Sequence, residues 1–317
     1  MNLKEIYELF IENGIENDPR GQKEVEKYLK RAKKHYNDLK AADKKEFDQD
    51  KLSNPYSDTR ILYGLPNREV TTVLVGIDIE VGEILLADRL RERGTKIDLV
   101  LAHHPEGKAL AALYDVMNMQ SDILELFGVP INVGEGIMAP RISEVMRGLM
   151  PLNHNKAVDA ARIFDLPLMC VHTPADNMVT NFLQKLIDDK KPDIVGDIVK
   201  LLKNIPEFAE AVKTGVGPAI VVGDEDRRAG RVFVDMTGGT GGSDDAFAKL
   251  SQAGVGTIVG MHIGEKHRQE AEKNHINVII AGHMASDSLG MNLMIDELAK
   301  QDIEIIPCSG LTRFSRI

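Results

Sequence analysis

The chain has 317 residues, 43% of them hydrophobic, and a formal net charge of -10, which suits one large globular domain or two lobes. Its densest basic stretch, Lys30 to Lys40, is soon followed by Asp43, Glu46, Asp48 and Asp50, so there is no sustained basic footprint for nucleic acid. The two cysteines, Cys170 and Cys308, stand far apart and outside any C-x-x-C spacing, which argues against a disulfide framework or a thiolate zinc site and fits a reducing cytoplasm.

Met1 to Phe10 places acidic and apolar residues at helical spacing and does not read as a secretory signal. No apolar run approaches about 18 residues, so no membrane span is expected. Residues 1–50 predict amphipathic helices, with Val25, Tyr28, Leu29 and Ala32 at steps of three and four. Residues 51–68, with Ser53, Asn54, Pro55, Gly64 and Pro66, predict an irregular connector. Residues 1–66 are therefore expected to be a helical extension and connector, and 67–317 an α/β body.

That body opens with Thr72-Val73-Leu74-Val75-Gly76, a helix through Leu85 and Leu90, and a second apolar run ending at Ala102. This is a β-α-β unit and predicts a parallel sheet. Helices are expected at 109–117 and 121–127, and Pro140 is read as opening another. A strand follows at 166–171 and helices over 180–216. Residues 219–222 and 231–235 flank Gly223 and Gly230 and predict a hairpin. A glycine loop, Thr237 to Ser243, leads into a helix at 244–250. Strands at 256–259 and 278–281 and helices at 265–273 and 288–298 complete the chain.

Three of the strands end in histidine. His103-His104 closes the apolar run 97–102, with Pro105 and Gly107 to turn the chain, and the carboxyl ends of strands in open α/β sheets are where ligands bind. His172 and Asp176 follow the strand at 166–171. His283 and Asp287 follow the last predicted strand, four residues apart, a spacing that puts both on one face of a helical turn. Asp176 and Asp287 read equally well as turn-closing or helix-capping residues. In a parallel sheet these ends lie on one edge, so the donors converge. Imidazole and carboxylate without thiolate suit Zn, Fe, Mn or Co, and the donors outnumber the needs of one tetrahedral ion, which favours two. The glycine loop lacks the lysine of a phosphate-binding loop and reads either as an anion cradle or as a packing turn. His262, Glu265 and His267 can approach the same edge through the turn at 258–264.

His-His-Pro after a β-α-β unit, His-Thr-x-x-Asp, Gly-Gly-x-Gly-Gly-Ser and Gly-His followed by an acid, in that order, resemble the Nif-three-like dinuclear metal centre family, also labelled GTP cyclohydrolase 1 type 2 homologues. The resemblance implies a two-lobed α/β subunit with mixed, largely parallel sheets, a ring-like homohexamer and two divalent ions per subunit (Zn, Fe or Mn). It puts the metal ligands on His103, His104, Asp176, His283 and Asp287. Asp287 is one methylene shorter than the family's glutamate, Glu106-Gly107 replaces an apolar pair, and Tyr56-Ser57-Asp58 is a weak counterpart of a missing tryptophan-containing motif. The implied activity is metal-dependent hydrolysis of a small, nucleotide-like or anionic substrate, with Glu106 and His172 as candidate catalytic proton carriers. His172 also suits an outer hydrogen-bonding role. The alternative is a non-catalytic metal-binding regulator or scaffold.

Overall fold

The computed structural model describes all of residues 1–317. In chain order its elements are α1 (Leu3–Glu16), α2 (Gln22–Asp38), β1 (Arg60–Tyr63), β2 (Thr72–Gly76), α3 (Val81–Glu92), β3 (Leu99–Ala102), α4 (Gly107–Ala111), α5 (Leu113–Val116), α6 (Met119–Leu126), α7 (Ile131–Leu149), α8 (Lys156–Ile163), β4 (Leu168–Cys170) and α9 (Thr173–Lys190). They continue with α10 (Val195–Lys203), α11 (Pro206–Lys213), β5 (Ala219–Val222), β6 (Arg231–Asp235), α12 (Ala246–Gln252), β7 (Val255–Gly260), α13 (Glu265–Lys273), β8 (Asn277–Ile280), α14 (His283–Ala299) and β9 (Glu304–Cys308).

Two sheets form, in the orders β1-β4-β3-β2-β9 and β5-β8-β7-β6. Each is parallel except for one antiparallel edge strand, β1 against β4 and β5 against β8. Successive strand residues face opposite sides, and the core divides accordingly. Val73, Val75, Leu99 and Leu101 join one cluster, whereas Leu74, Val100 and Ala102 join another on the far face. In the second sheet Val232, Val234 and Val259 face one way, Phe233 and Ile258 the other.

Helices α9 and α14 lie between the sheets. Ala175, Met291 and Leu298 pack with the first sheet, Val179, Ala285 and Leu289 with the second. A helix buried on both sides has no polar stripe, and α14 accordingly buries twelve of its residues. Gly290 is what lets the two helices touch, because a Cβ there would collide with the Ala175 carbonyl oxygen. No helix is long and apolar enough to cross a membrane.

The sequence expectations need four corrections. The predicted hairpin does not form: β5 and β6 occupy opposite edges of their sheet, with β8 and β7 between them. Pro140 lies inside α7 and does not open it. Gly134 packs on Ser121 of α6 and Met138 is buried, which holds helical geometry on both sides of the proline. The expected connector contains β1, and α1 packs Leu3, Ile6 and Phe10 into the core of the first sheet. Finally, β9 was not anticipated; it pairs with β2 at the edge of the first sheet.

Candidate metal centre

The carboxyl ends of β3, β4 and β8 meet at the inner ends of α9 and α14. His103 and His104 follow β3 directly, and their amides donate to the Gly76 and Ile77 carbonyls, which fixes the turn. His172 caps α9, Asp176 sits in its first turn, and His283 and Asp287 lie at the start of α14. The close α9 to α14 crossing brings Asp176 and Asp287 to the same imidazoles.

Hydrogen bonds set the direction of each ring. The His103 Nδ1-H donates to the Val171 carbonyl at 3.1 Å. His104 Nδ1-H donates to Asp78 Oδ1 at 2.7 Å and His172 Nδ1-H to Asp58 Oδ2 at 2.8 Å. With each Nδ1 committed as a donor, each neutral ring presents Nε2 as a bare lone pair. Those nitrogens face more acceptors. His103 Nε2 is 3.5 Å from Asp176 Oδ1 and 3.6 Å from Asp287 Oδ1. His104 and His283 Nε2 each lie 3.5 Å from Asp287 Oδ2, and His172 Nε2 lies 3.8 Å from Asp176 Oδ2.

His103 Nε2 and both Asp287 oxygens are buried without any hydrogen-bond partner. Each such orphan costs about 1–3 kcal/mol, and a cation at their centre satisfies all three. Three overlapping groups have ligand atoms within 4.8 Å of one another: His103, His104 and His172; His104, His283 and Asp287; and His103, Asp176 and Asp287. The buried His/Asp donors therefore fit a metal ion.

The electrostatics follow from burial and from the crowding of like and unlike groups. Burial drives His103 down to about 4. For Asp287, burial is overcome by His103, His104 and His283, which hold the carboxyl far below its ordinary range. Asp176 is raised to about 8 by burial, with Asp287 and Asp58 adding to the effect. His172 resists burial and rises to about 9 because Asp176, Asp58 and Asp287 surround it.

All five expected ligands and His172 thus come together, but Glu106 does not. It stands at the start of α4, where burial together with Glu80 and Asp78 raises it to about 7; it neither joins a donor group nor lines the adjoining cleft. The cleft runs from His172, Asp176, His283 and Asp287 to the glycine loop, His262 and His267. The loop behaves as a packing turn. Gln120 Nε2 donates to the Gly238 and Thr240 carbonyls, and a Cβ at Gly238 or Gly239, both at positive φ, would come within 2.8 or 2.9 Å of neighbouring side chains. Sequence reasoning gave Asp58 only as part of a weak motif counterpart and missed Asp78; these are the two carboxylates that orient His172 and His104. It also missed Asp235, at the end of β6, which lines the cleft.

Fold and site together define a class: a two-sheet α/β protein with a buried His/Asp donor cluster at the strand ends. The model of the Duf34/NIF3 (NGG1p interacting factor 3) family matches residues 152–309. The match, with the structural likeness to a superfamily member, supports a Nif3-like family assignment. It is similar to the crystal structure of a NIF3 superfamily protein from Sphaerobacter thermophilus, at 26% identity and a TM-score of 0.71 over 80% of this chain and 92% of that one. Reduced HcgD from Methanocaldococcus jannaschii shares the fold at 16% identity and a TM-score of 0.53, over 85% of this chain and 97% of the other. No curated protein matches the chain.

Proposed function

We propose that this protein is a metal-dependent hydrolase acting on a small, anionic or nucleotide-like substrate, with two divalent ions per chain, Zn, Fe or Mn, held by His103, His104, Asp176, His283 and Asp287. The observation that carries the reading is the convergence of buried lone pairs at His103 Nε2 and Asp287 with no hydrogen-bond donor among them. Divalent ions bound there would lower the pKa of water and polarise a carbonyl or phosphoryl oxygen.

The chain's own residues supply orientation and proton handling. Asp58 and Asp78 hold the His172 and His104 rings with Nε2 inward, and such outer hydrogen bonds keep ligands in register. Thr173 Oγ1 donates to Asp58 Oδ2 at 2.6 Å and keeps that carboxylate in place. His172, on the cleft wall, can hold a proton at Nε2 and pass it to a group in the cleft. Glu106 stands off the cleft, so the proton-carrying role rests on His172 alone. Assembly as a homohexamer belongs to the same proposal; exposed apolar Leu85 and Leu86 on α3 and Ile163 at the end of α8 support an interface, and light scattering tests it.

Elemental analysis of wild type beside His103→Ala and Asp287→Ala, followed by a panel of phosphoesters, cyclic amides and nucleotides, tests the function. About two ions per chain, lost in both variants together with turnover, is the expected result. Ions bound with no turnover across the panel would favour a regulatory or scaffold protein. Near-zero metal after reconstitution overturns the reading.

A further inference from the structure

The cleft beside the metal centre encloses about 140 Å³, the space of a few water molecules at roughly 30 Å³ each. That holds a reacting group but not a whole organic substrate, since ligand sites usually span roughly 300–1,000 Å³. A second cavity of about 620 Å³ lies next to it, between α6, α9 and β6. The two share Ile123, Phe233, Asp235 and Thr237 as lining residues, so they adjoin along one wall at the end of β6.

The second cavity has a distinct chemistry. Arg231 lies over the Phe127 ring at 4.8 Å and donates to the Leu126 and Phe127 carbonyls, which commits it to holding the wall. Lys185 and Lys191 line the cavity and form no ion pair. Asp188, the acid beside them, accepts from Gln184 Nε2 at 3.0 Å. The lining thus carries three cations against two carboxylates, Asp188 and Asp235, in a chain whose net charge is -10. A local excess of unpaired ammonium groups in a concave, partly apolar site attracts an anion.

Resting on the proposed metal-dependent reading, we propose that the two cavities form one bipartite substrate site: the reacting end enters the His/Asp cluster and the anionic remote end lies in the second cavity against Lys185 and Lys191. The substrate class is an elongated organic anion with a neutral middle section, because Asp235 and Thr237 line the junction and a second negative charge there would meet the Asp235 carboxylate. Binding at the remote end would hold the reacting end in place.

The test uses zinc-loaded protein and hydroxamic acids, whose head group chelates metal. Calorimetry compares acetohydroxamate with alkyl hydroxamates of increasing length ending in either methyl or carboxylate. The expected result is that, at one chain length, the carboxylate-ended probe binds about tenfold or more tightly than its methyl-ended twin. That gain disappears in Lys185→Ala/Lys191→Ala, while acetohydroxamate binds the variant and wild type alike. Both lysines are exposed, so the variant retains its core. If acetohydroxamate binds but a terminal carboxylate gives no gain at any length, or the gain survives in the variant, the second subsite is refuted and the metal reading stands. If acetohydroxamate fails to bind zinc-loaded protein, the metal reading fails and the bipartite site with it.

Discussion

Metal binding to this cluster should expel protons, and the number is set by His172 and Asp176. Both are raised, His172 to about 9 by the carboxylates around it against the pull of burial, and Asp176 to about 8 chiefly by burial. The two titrate as a coupled pair, because the Asp176 charge that most raises His172 is lost when Asp176 is itself protonated, and Asp176, as a proposed ligand, must shed any proton it holds before it binds an ion. The sign is fixed: groups raised above the working pH are protonated without metal, so affinity climbs as pH rises through their titration and levels off above it. Up to about one proton per chain should leave on zinc binding at pH 7, and fewer as pH rises through 8. Calorimetric titration in buffers of differing ionisation enthalpy reads the count as the slope of observed against buffer enthalpy. Asp176→Asn should abolish most of the slope at pH 7. A slope of zero at pH 7, or one that grows with pH, would refute the reasoning.

Other outcomes follow from single contacts. Asp78→Ala frees the ring of His104, a proposed ligand, and should weaken metal affinity by about 10–100-fold with the fold intact; a competition titration with a chelator of known affinity measures it, and an unchanged constant rejects the orienting role. Gly290→Ala places a methyl against the Ala175 carbonyl at the helix crossing and should cost about 1–3 kcal/mol in urea unfolding, with loss of metal affinity because Asp176 and Asp287 move apart. Leu101→Ala, in a fully buried strand position, should cost about 2–5 kcal/mol and leave metal content per folded chain unchanged, which separates core packing from the site.

What could be read from the sequence was local. The β-α-β unit was legible because Val73 to Val75 and Leu99 to Leu101 are unbroken apolar runs, and the His/Asp cluster because its donors sit at strand ends with helical spacing. Edge strands were less so. β1 begins with Arg60, buried by bonds to the Tyr56 and Thr59 carbonyls and Asp48, and a charged residue does not announce a strand. β9 contains Pro307, which a sheet tolerates at an edge. The hairpin was misread because pairing in the second sheet is decided by β7 and β8, whose burial outweighs the proximity of β5 and β6 in sequence. The pairings of Asp58 and Asp78 were out of reach for the same reason: their partners lie 114 and 26 residues away, and only the folded chain brings them together.

The donors come from the ends of β3 and β4 in one sheet and of β8 in the other, joined through α9 and α14. Neither sheet alone holds all the donors, and His103 and Asp287, far apart in sequence, stand 3.6 Å apart only in the folded body. The groups that include Asp287 exist only once α14 has docked between the sheets. An ion held by both His103 and Asp287 would therefore fasten the two halves of the fold to each other, and its release would loosen the seam between them.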